Sequence, residues 1–215
     1  MTVSNSSVAH TDSTPTIFVV DDDQAVLDSV FAALRPLGLP VRTFSSAESF
    51  LESLADPRPG CVLLDVRMPG MSGIELQRIL AMDHAYLTVI MVTGHATVSM
   101  SVSTLKNGAT DFLEKPYLPD LLRAVVQDAV TTSIQNLDKK NQRDTYQALA
   151  ADLSPRENEV YELLLQGFEN KRVAHSLGIS PSTVEKHRLA VVRKMGVDNV
   201  TQLLKQKIDA TQSLL

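Results

Sequence analysis

The first part of the chain alternates short, mostly apolar segments with longer amphipathic stretches. Five short segments predict strands, and each ends at polar or turn-forming residues: 16–20, 40–44, 61–64, 87–92 and 110–114. Between them, apolar residues recur at helical spacing, which predicts helices over 26–37, 47–54, 74–81 and 98–106. Strands that alternate with helices in this way predict an α/β domain, with a parallel sheet covered by helices on both faces.

From Leu118 onwards the pattern becomes helical. An amphipathic pattern begins there, turns polar over 135–143 and resumes weakly at Tyr146 and Leu149. This predicts one long helix that leaves the first domain and becomes a linker.

The remaining residues carry only helical signals. Ser154, Pro155 and Glu157 have the spacing of a capping box at the start of a helix. Three further helices are predicted, over 171–177, 181–195 and 200–208. The expected organisation is a disordered N-terminus over 1–14, an α/β domain over 15–130, a helical linker over 131–152 and a small all-α domain over 153–215.

The composition predicts a soluble, cytoplasmic protein of one or two domains. The chain has 215 residues and 44% hydrophobic content, which is enough for packed cores. No apolar run approaches the roughly 20 residues that span a bilayer, and residues 1–15 lack the basic and apolar regions of a signal peptide. Because Cys61 is the single cysteine, an internal disulfide and a cysteine-based zinc motif are excluded.

Positive charge is concentrated near the C-terminus, although the whole chain has a net charge of −5. Residues 1–151 contain 11 basic and 17 acidic side chains (net −6), and residues 152–215 contain 9 basic and 8 acidic (net +1). Within the second group, residues 171–207 contain 8 basic and 2 acidic side chains (net +6). Such a concentration suggests a polyanion as partner, and the alternative is an ordinary solvated surface.

Acidic residues lie at the ends of two predicted strands. Asp21 and Asp22 follow the first strand and Asp65 follows the third, and these two strands are commonly neighbours in a doubly wound sheet. Carboxylates at one edge repel each other unless a cation is present, and oxygen donors without cysteine or histidine favour Mg²⁺. The alternative is that Asp23 caps the first helix, Asp65 begins a loop and nothing binds.

A hydroxyl and an ammonium group are expected at the same edge. Thr93 ends the fourth predicted strand, and Lys115 follows the fifth. A carboxylate with Mg²⁺, a lysine and a hydroxyl around it can accept a phosphoryl group as an acyl phosphate, because the cations neutralise the transferred oxygens. Taken alone, a lysine at position 115 is more often an exposed loop residue.

Together these motifs resemble the receiver domain of bacterial two-component response regulators. The resemblance covers about 15–129 and rests on Asp21-Asp22, on Asp65 followed by Met68-Pro69-Gly70 and Gly73, on Thr93-Gly94 and on Lys115-Pro116. It implies a flavodoxin-like, doubly wound five-stranded sheet in the order 2-1-3-4-5 and a cis peptide before Pro116.

The resemblance also implies a phosphorylation site that depends on Mg²⁺. Asp65 is then the phosphoacceptor and itself a metal ligand. Asp22 is the direct ligand with Asp21 assisting, and the backbone carbonyl of Arg67 completes the protein ligands.

Further roles follow from the same resemblance. Thr93 and Lys115 would contact the phosphoryl group, and Arg67 and His95 would flank it and influence its lifetime. Phe112 matches the switch aromatic, which moves between exposed and buried positions, with plain core packing as its alternative.

The basic segment carries a second resemblance. Residues 170–174, 177–180 and 183–187 indicate a helix, a tight turn and a second helix of the type that enters a DNA major groove. Four basic side chains decorate that second helix: Lys186, Arg188, Arg193 and Lys194. With the capping box and Gly167 included, the segment resembles the four-helix DNA-binding domain of LuxR-type regulators, and the whole chain resembles FixJ-like response regulators.

In that family, residues early in the recognition helix contact DNA. The matching positions are Thr183, Glu185, Lys186, Arg188 and Leu189. Lysine and arginine would supply phosphate affinity or guanine contacts. Glu185 would either accept from a cytosine amino group or pair with a neighbouring cation.

The resemblances imply a transcriptional regulator and not an enzyme. A sensor histidine kinase would phosphorylate Asp65, and phosphorylation would drive homodimerisation and sequence-specific binding to double-stranded DNA, with RNA polymerase as a further partner and no membrane association. The expected dimer surface comprises the helix over 98–106, the strand over 110–114 and the helix from Leu118.

Two other functions are compatible with parts of the pattern. One is a DNA-binding regulator whose receiver-like domain dimerises independently of phosphorylation. The other is an aspartyl-phosphate enzyme, which is disfavoured because hydrolases of the haloacid dehalogenase type need a second acid two residues after the nucleophile, where this chain has Arg67.

Overall fold

The structure, a computed structural model, describes residues 14–55, 57–94 and 109–212. Packing divides the chain into two units, residues 1–137 and 138–215, and each is described by itself. The predicted disordered segment over 1–14, apart from Thr14, lies outside the described residues, as do the predicted helix over 98–106 and His95.

The first unit is built on a five-stranded parallel sheet. Its strands are β1 Thr16–Val20, β2 Val41–Phe44, β3 Gly60–Asp65, β4 Thr88–Thr93 and β5 Asp111–Glu114. The order β2-β1-β3-β4-β5 confirms the predicted fold class and topology. The three central strands are buried almost throughout, which is why their sequences are nearly continuous apolar runs.

The two edge strands differ from the central ones in length and composition. β2 and β5 have four residues each. Arg42 is exposed on β2, where its guanidinium lies 5.2 Å from the centroid of the Phe44 ring. Asp111 and Glu114 are exposed on β5. Half of each edge strand therefore meets water, and its apolar pattern is correspondingly weak.

Helices cover both faces of the sheet and create two separate cores. They are α1 Gln24–Leu34, α2 Ala47–Glu52, α3 Gly73–Asp83 and α4 Pro119–Ala151. α2 and α3 bury Phe50 and Leu76 on one face, and α1 and α4 bury Leu34 and Leu122 on the other. Side chains cap these helices: Asp23 accepts from the Ala25 N–H (2.8 Å), and Ser72 forms a capping box with Glu75.

α4 is 33 residues long and belongs to both units. Its first half packs Leu122, Val126 and Ala129 against the sheet, and Leu137 is still buried in the first unit. Its last turns pack Tyr146 and Leu149 in the second unit. The division at Leu137 therefore falls inside the segment predicted as a linker.

A buried hydroxyl network fastens α4 at the amino-terminal edge of the sheet. The Ser133 hydroxyl donates to the Tyr86 carbonyl (2.6 Å) and accepts from the Gly60 N–H (2.8 Å). The Thr88 hydroxyl lies 2.9 Å from the Ala129 carbonyl oxygen and 3.2 Å from that of Gly60. Two strand starts and one helix are thus joined by side chains that water does not reach.

The described part of the second unit is helical throughout, as predicted. Four helices follow the end of α4: α5 Pro155–Leu165, α6 Asn170–Leu177, α7 Pro181–Lys194 and α8 Val200–Gln212. The predicted capping box between Ser154 and Glu157 is present. α8 continues past the predicted end at 208, with Ala210 buried. In neither unit does a described helix combine the length and apolar content that crossing a lipid bilayer requires.

Candidate functional site

The carboxyl ends of four strands meet at an open cavity of about 400 Å³. The residues that line it are Asp21, Asp22, Asp23, Val26, Asp65, Arg67, Thr93, Gly94 and Lys115. Parallel strands end at one edge of a sheet, so β1, β3, β4 and β5 each deliver a polar residue to this edge. The structure therefore brings together the acids, the threonine and the lysine that the sequence singled out.

Lys115 lies at the centre of this cavity's charges. Its Nζ is 2.7 Å from Asp21 Oδ2 and 2.9 Å from Asp65 Oδ1. Burial acts to lower the pKa of Lys115, but the hydrogen bonds and charges of the two aspartates outweigh it, and the pKa is raised. The lysine therefore stays an ammonium between two carboxylates. The peptide bond before Pro116 is cis, as the resemblance implied.

The second oxygen of each aspartate is held by the backbone. Asp65 Oδ2 accepts from the Arg67 N–H at 2.7 Å, and Asp21 Oδ1 accepts from the Asp23 N–H at 3.0 Å. Asp23 itself caps α1, as the non-binding alternative for these acids assumed of this residue. Both carboxylates are consequently fixed in orientation before any ligand arrives.

A close approach of α3 supports the loop that follows Asp65. The Gly73 N–H donates to the Val66 carbonyl at 3.1 Å. A Cβ atom at position 73 would lie 2.0 Å from the carbonyl oxygen of Asp65, a distance that no side chain tolerates. Glycine at this position lets the helix start directly behind the acid.

This edge of the sheet offers oxygen atoms that suit Mg²⁺, but among the described residues they are not already gathered into a metal-binding cluster. Among the described residues, no three Asp, Glu, His or Cys side chains form a group that could hold a metal ion. Asp21 and Asp65 are bridged by Lys115, while Asp22 beside them is exposed. Mg²⁺ takes only one or two carboxylates and keeps several waters, so these oxygens and a backbone carbonyl suit it.

Phe112 lies on β5, away from the cavity lining. It is half-buried and packs against the core that contains Phe18 and Phe50. This position fits both interpretations of Phe112, as a core residue and as an aromatic that changes its exposure.

α6 and α7 form the predicted helix-turn-helix. The turn begins at Gly178, and the N–H groups of Gly178 and Ile179 both donate to the Ala174 carbonyl. Val173 and Val184 are fully buried between the two helices. The opposite face of α7 is open to solvent, and Leu189 there is 62% exposed.

Five of the predicted DNA-contacting residues are at least partly open to solvent, and the other two, Glu185 and Lys194, have partners within the second unit. Lys186, Leu189 and Arg193 are exposed, and Thr183 and Arg188 are partly exposed. Glu185 accepts a hydrogen bond from the Asn170 amide and lies 3.6 Å from Arg188, so it has the internal partners that one of its interpretations required.

Lys194 is tied inside its own unit. Its Nζ donates to Glu157 Oε2 (2.8 Å) and to the Asp152 carbonyl (2.9 Å). The hydrogen bond from Lys194 and those from Ser154 lower the pKa of Glu157 to about 2. Lys194 thus joins the end of α7 to the start of α5, a role that the sequence did not reveal because Glu157 lies 37 residues away.

Comparisons with known proteins match both units. Residues 17–127 match the response regulator receiver domain, and residues 151–205 match the bacterial regulatory proteins of the luxR family. The response regulator protein TmoT of Ectopseudomonas mendocina is 39% identical over 189 residues, covering 88% of this chain and 86% of TmoT. The transcriptional regulatory protein FixJ of Bradyrhizobium diazoefficiens is 38% identical, covering 88% of this chain and 92% of FixJ.

Solved structures agree with these relatives. The response regulator StyR superimposes with a TM-score of 0.76 at 36% identity, covering 90% of this chain and 98% of StyR. Full-length FixJ from B. japonicum gives a TM-score of 0.54 at 36% identity, covering 92% of this chain and 97% of FixJ. The chain belongs to the response regulators that join a receiver domain to a LuxR-type DNA-binding domain.

Proposed function

We propose that phosphorylation of Asp65 by a sensor histidine kinase controls binding of this regulator to double-stranded DNA. The protein then works in the cytoplasm as a switch and turns over no substrate of its own. The observation that carries the proposal is the arrangement of Asp65, Asp21 and Lys115, which share hydrogen bonds of 2.7 and 2.9 Å at the rim of an open cavity. The helix-turn-helix of α6 and α7 supplies the output.

The proposed chemistry is transfer of a phosphoryl group to a carboxylate. An oxygen of Asp65 attacks the phosphorus of the kinase phosphohistidine, the P–N bond breaks, and the imidazole nitrogen keeps the electron pair. Lys115, 2.9 Å from Asp65 Oδ1, is close enough to neutralise the transferred oxygens, and Thr93 lines the same cavity.

The same edge is the proposed magnesium site. Asp21, Asp22, Asp65 and the backbone carbonyl of Arg67 would hold the ion. Mg²⁺ bound there supplies positive charge that offsets the negative charge of the transferred group.

The phosphorylated receiver is proposed to form a homodimer. Leu118 and Leu121, at the start of α4, are 73% and 50% exposed, which supports a contact surface that includes this helix and β5. The remaining part of the proposed surface, over 98–106, lies outside the described residues. Thr93 and Phe112 are the proposed switch residues, and phosphorylation must favour one receiver state over the other for the dimer to respond.

The DNA surface is proposed on the exposed face of α7. Lys186 and Arg193 would contact phosphates, and Thr183, Arg188 and Leu189 would lie against the major groove, with Glu185 released from Asn170 if it contacts a base. Lys194 is left out because its ammonium group already binds Glu157 and Asp152. RNA polymerase is the proposed partner of the DNA-bound form.

Acetyl phosphate with Mg²⁺ tests this function on the wild type and on Asp65→Asn. We expect phosphorylation of the wild type to raise DNA affinity by about tenfold, within the usual range of coupling between sites, and to increase the dimer fraction. Asp65→Asn should show neither change. Intact-protein mass spectrometry, light scattering and binding to DNA obtained by in vitro selection are the measurements. If the wild type and Asp65→Asn bind DNA equally under both conditions, the phosphorylation-independent alternative is correct.

A further inference from the structure

The loop between β3 and α3 receives a contact from α2. The Met71 N–H donates to Glu48 Oε1 at 3.0 Å, and Glu48 lies in the first turn of α2, 23 residues earlier in the chain. The loop starts directly after Asp65 and contains Arg67, whose backbone carbonyl is a proposed magnesium ligand. A carboxylate outside the cavity therefore touches the segment that frames it.

The loop is shaped to accept this carboxylate. Gly70, next to Met71, has a φ of +73°, a conformation that L side chains rarely adopt. A Cβ atom on Gly70 would lie 2.9 Å from Glu48 Oε1, so a side chain at position 70 would require the Glu48 carboxylate to move. Hydrogen bonds from the backbone N–H groups of Glu48 itself and of Met71 lower the pKa of Glu48, so it accepts as a carboxylate.

Other anchors hold the two ends of the loop. At its start, the Arg67 N–H binds Asp65 and the Met68 side chain is buried. At its end, the Ser72 N–H donates to Glu75 Oε2 at 2.9 Å in the capping box of α3. The Glu48 contact at Met71 lies between these ends and comes from a different element. It attaches Met71, four residues after Arg67, to α2.

We propose that Glu48 is a positioning residue for phosphorylation, which acts by holding Gly70 and Met71 so that the Arg67 carbonyl stays in place for Mg²⁺. A site of this kind must be held within about 0.5 Å by supporting contacts. The proposal rests on the proposed function. Glu48 would contact neither the phosphoryl group nor the ion. Its removal is therefore expected to lower the affinity of the site for Mg²⁺.

Three substitutions in the full chain test this role. Glu48→Ala removes the acceptor, Glu48→Gln keeps a side-chain carbonyl that can accept from Met71, and Glu52→Ala removes an exposed carboxylate from the same helix. We expect Glu48→Ala to weaken Mg²⁺ binding by about tenfold, the low end of the range for groups that support metal ligands. Glu48→Gln and Glu52→Ala should bind Mg²⁺ like the wild type.

Two measurements separate positioning from folding. Isothermal titration calorimetry gives the Mg²⁺ affinity directly, and acetyl phosphate labelling of Asp65 over a range of Mg²⁺ concentrations gives its kinetic counterpart. For Glu48→Ala, the half-saturating Mg²⁺ concentration should rise while the rate at saturating Mg²⁺ stays close to that of the wild type.

Each other outcome has a defined meaning. Wild-type Mg²⁺ affinity in Glu48→Ala overturns the positioning role but leaves the proposed function standing, provided the wild type is labelled. An equal loss in Glu48→Gln, or in Glu52→Ala, also overturns it, because charge or helix stability would then be the cause. If the wild type itself is not labelled at Asp65, the proposed function fails first.

Discussion

Lys115 and Lys194 both bind carboxylates, and their surroundings separate their roles. Lys115 joins two aspartates at the carboxyl ends of different strands, Asp21 after β1 and Asp65 at the end of β3, at the rim of an open cavity. Lys194 joins Glu157 and a backbone carbonyl at a junction of two helices. Both residues read as candidate ligand contacts in the sequence. What distinguishes them is the partner that the fold brings to each, and that partner is remote in the chain.

A single methyl group at Gly73 is expected to disturb the edge of the sheet that carries Asp65. Gly73→Ala would place its Cβ 2.0 Å from the Asp65 carbonyl oxygen, so α3 or the end of β3 must shift. We expect a loss of about 3 kcal/mol in the free energy of unfolding of the first unit, the upper end for overpacking. Urea denaturation is the measurement. Gly94→Ala is the control, because a Cβ there meets no described atom within 4 Å.

The Glu157–Lys194 pair should make the second unit sensitive to acid. The pKa of Glu157 is lowered from 4.5 to about 2 in the folded protein. Its contribution to stability is therefore complete above pH 4.5 and is lost as the pH falls towards 2. Glu157→Gln should destabilise the unit by about 1 kcal/mol at neutral pH, the scale of a partly exposed ion pair, and should flatten this part of the pH profile.

NMR can measure denaturation of the second unit at each pH through the methyl resonance of Met195, which is fully buried there. Glu159→Gln, on the same helix and paired with Arg156 at the surface, is the matched control. An unchanged pH profile in Glu157→Gln would show that the carboxylate adds nothing to the fold.

Among the elements, the strands that are buried on both faces of the sheet were the ones that the sequence predicted best. β1, β3 and β4 were predictable because each is apolar along nearly its whole length, and their order places Asp21, Asp65 and Thr93 at one edge. The end of α8 was missed because alanine at position 210 is buried but gives a weak apolar signal.

Contacts between side chains and distant backbone left no local pattern in the sequence. Glu48 binds Met71, and Ser133 binds Gly60 and Tyr86, over separations that only the folded sheet brings together. Asp21, Asp65, Thr93 and Lys115 could be singled out because they lie at the ends of strands. The residues that support them carry no such mark.

Ser133 should be the most sensitive polar position of α4. Ser133→Ala leaves the Gly60 N–H and the Tyr86 carbonyl buried without this hydroxyl, which costs about 1–3 kcal/mol. Thr132→Ala, one residue earlier, removes an exposed hydroxyl that bonds only to the Asp128 carbonyl of its own helix (3.0 Å) and should change stability by less than about 0.5 kcal/mol. Urea denaturation of both variants measures the difference. Equal stabilities would mean that the network adds nothing.

On the scale of the whole molecule, α4 is the element that both units share. Leu122 and Val126 anchor it on the sheet, and the hydroxyl of Tyr146 hydrogen-bonds to that of Tyr161 in the second unit. Asn141 lies between these anchors and is exposed. One continuous helix therefore runs from the core of the first unit into a core of the second.

Breaking the helix at Asn141 should uncouple phosphorylation from DNA binding. Asn141→Pro costs a helix interior about 3 kcal/mol, while the cores of both units stay intact. We expect the ratio of DNA affinities with and without phosphorylation to fall towards one, with Asp65 still labelled by acetyl phosphate. Asn141→Ala should keep the wild-type ratio. A wild-type ratio in the proline variant would exclude helix continuity as the route.

The sheet also protects the molecule from a hazard common to exposed strand edges. An unpaired edge strand is a template on which another chain can add its own strand and start aggregation. Here both edge strands are only four residues long, and each carries exposed charge, with Arg42 on β2 and Asp111 and Glu114 on β5. Short edge strands with charged side chains are a means by which native proteins discourage such strand addition. The sheet of this regulator is therefore a poor template for β-aggregation at either edge.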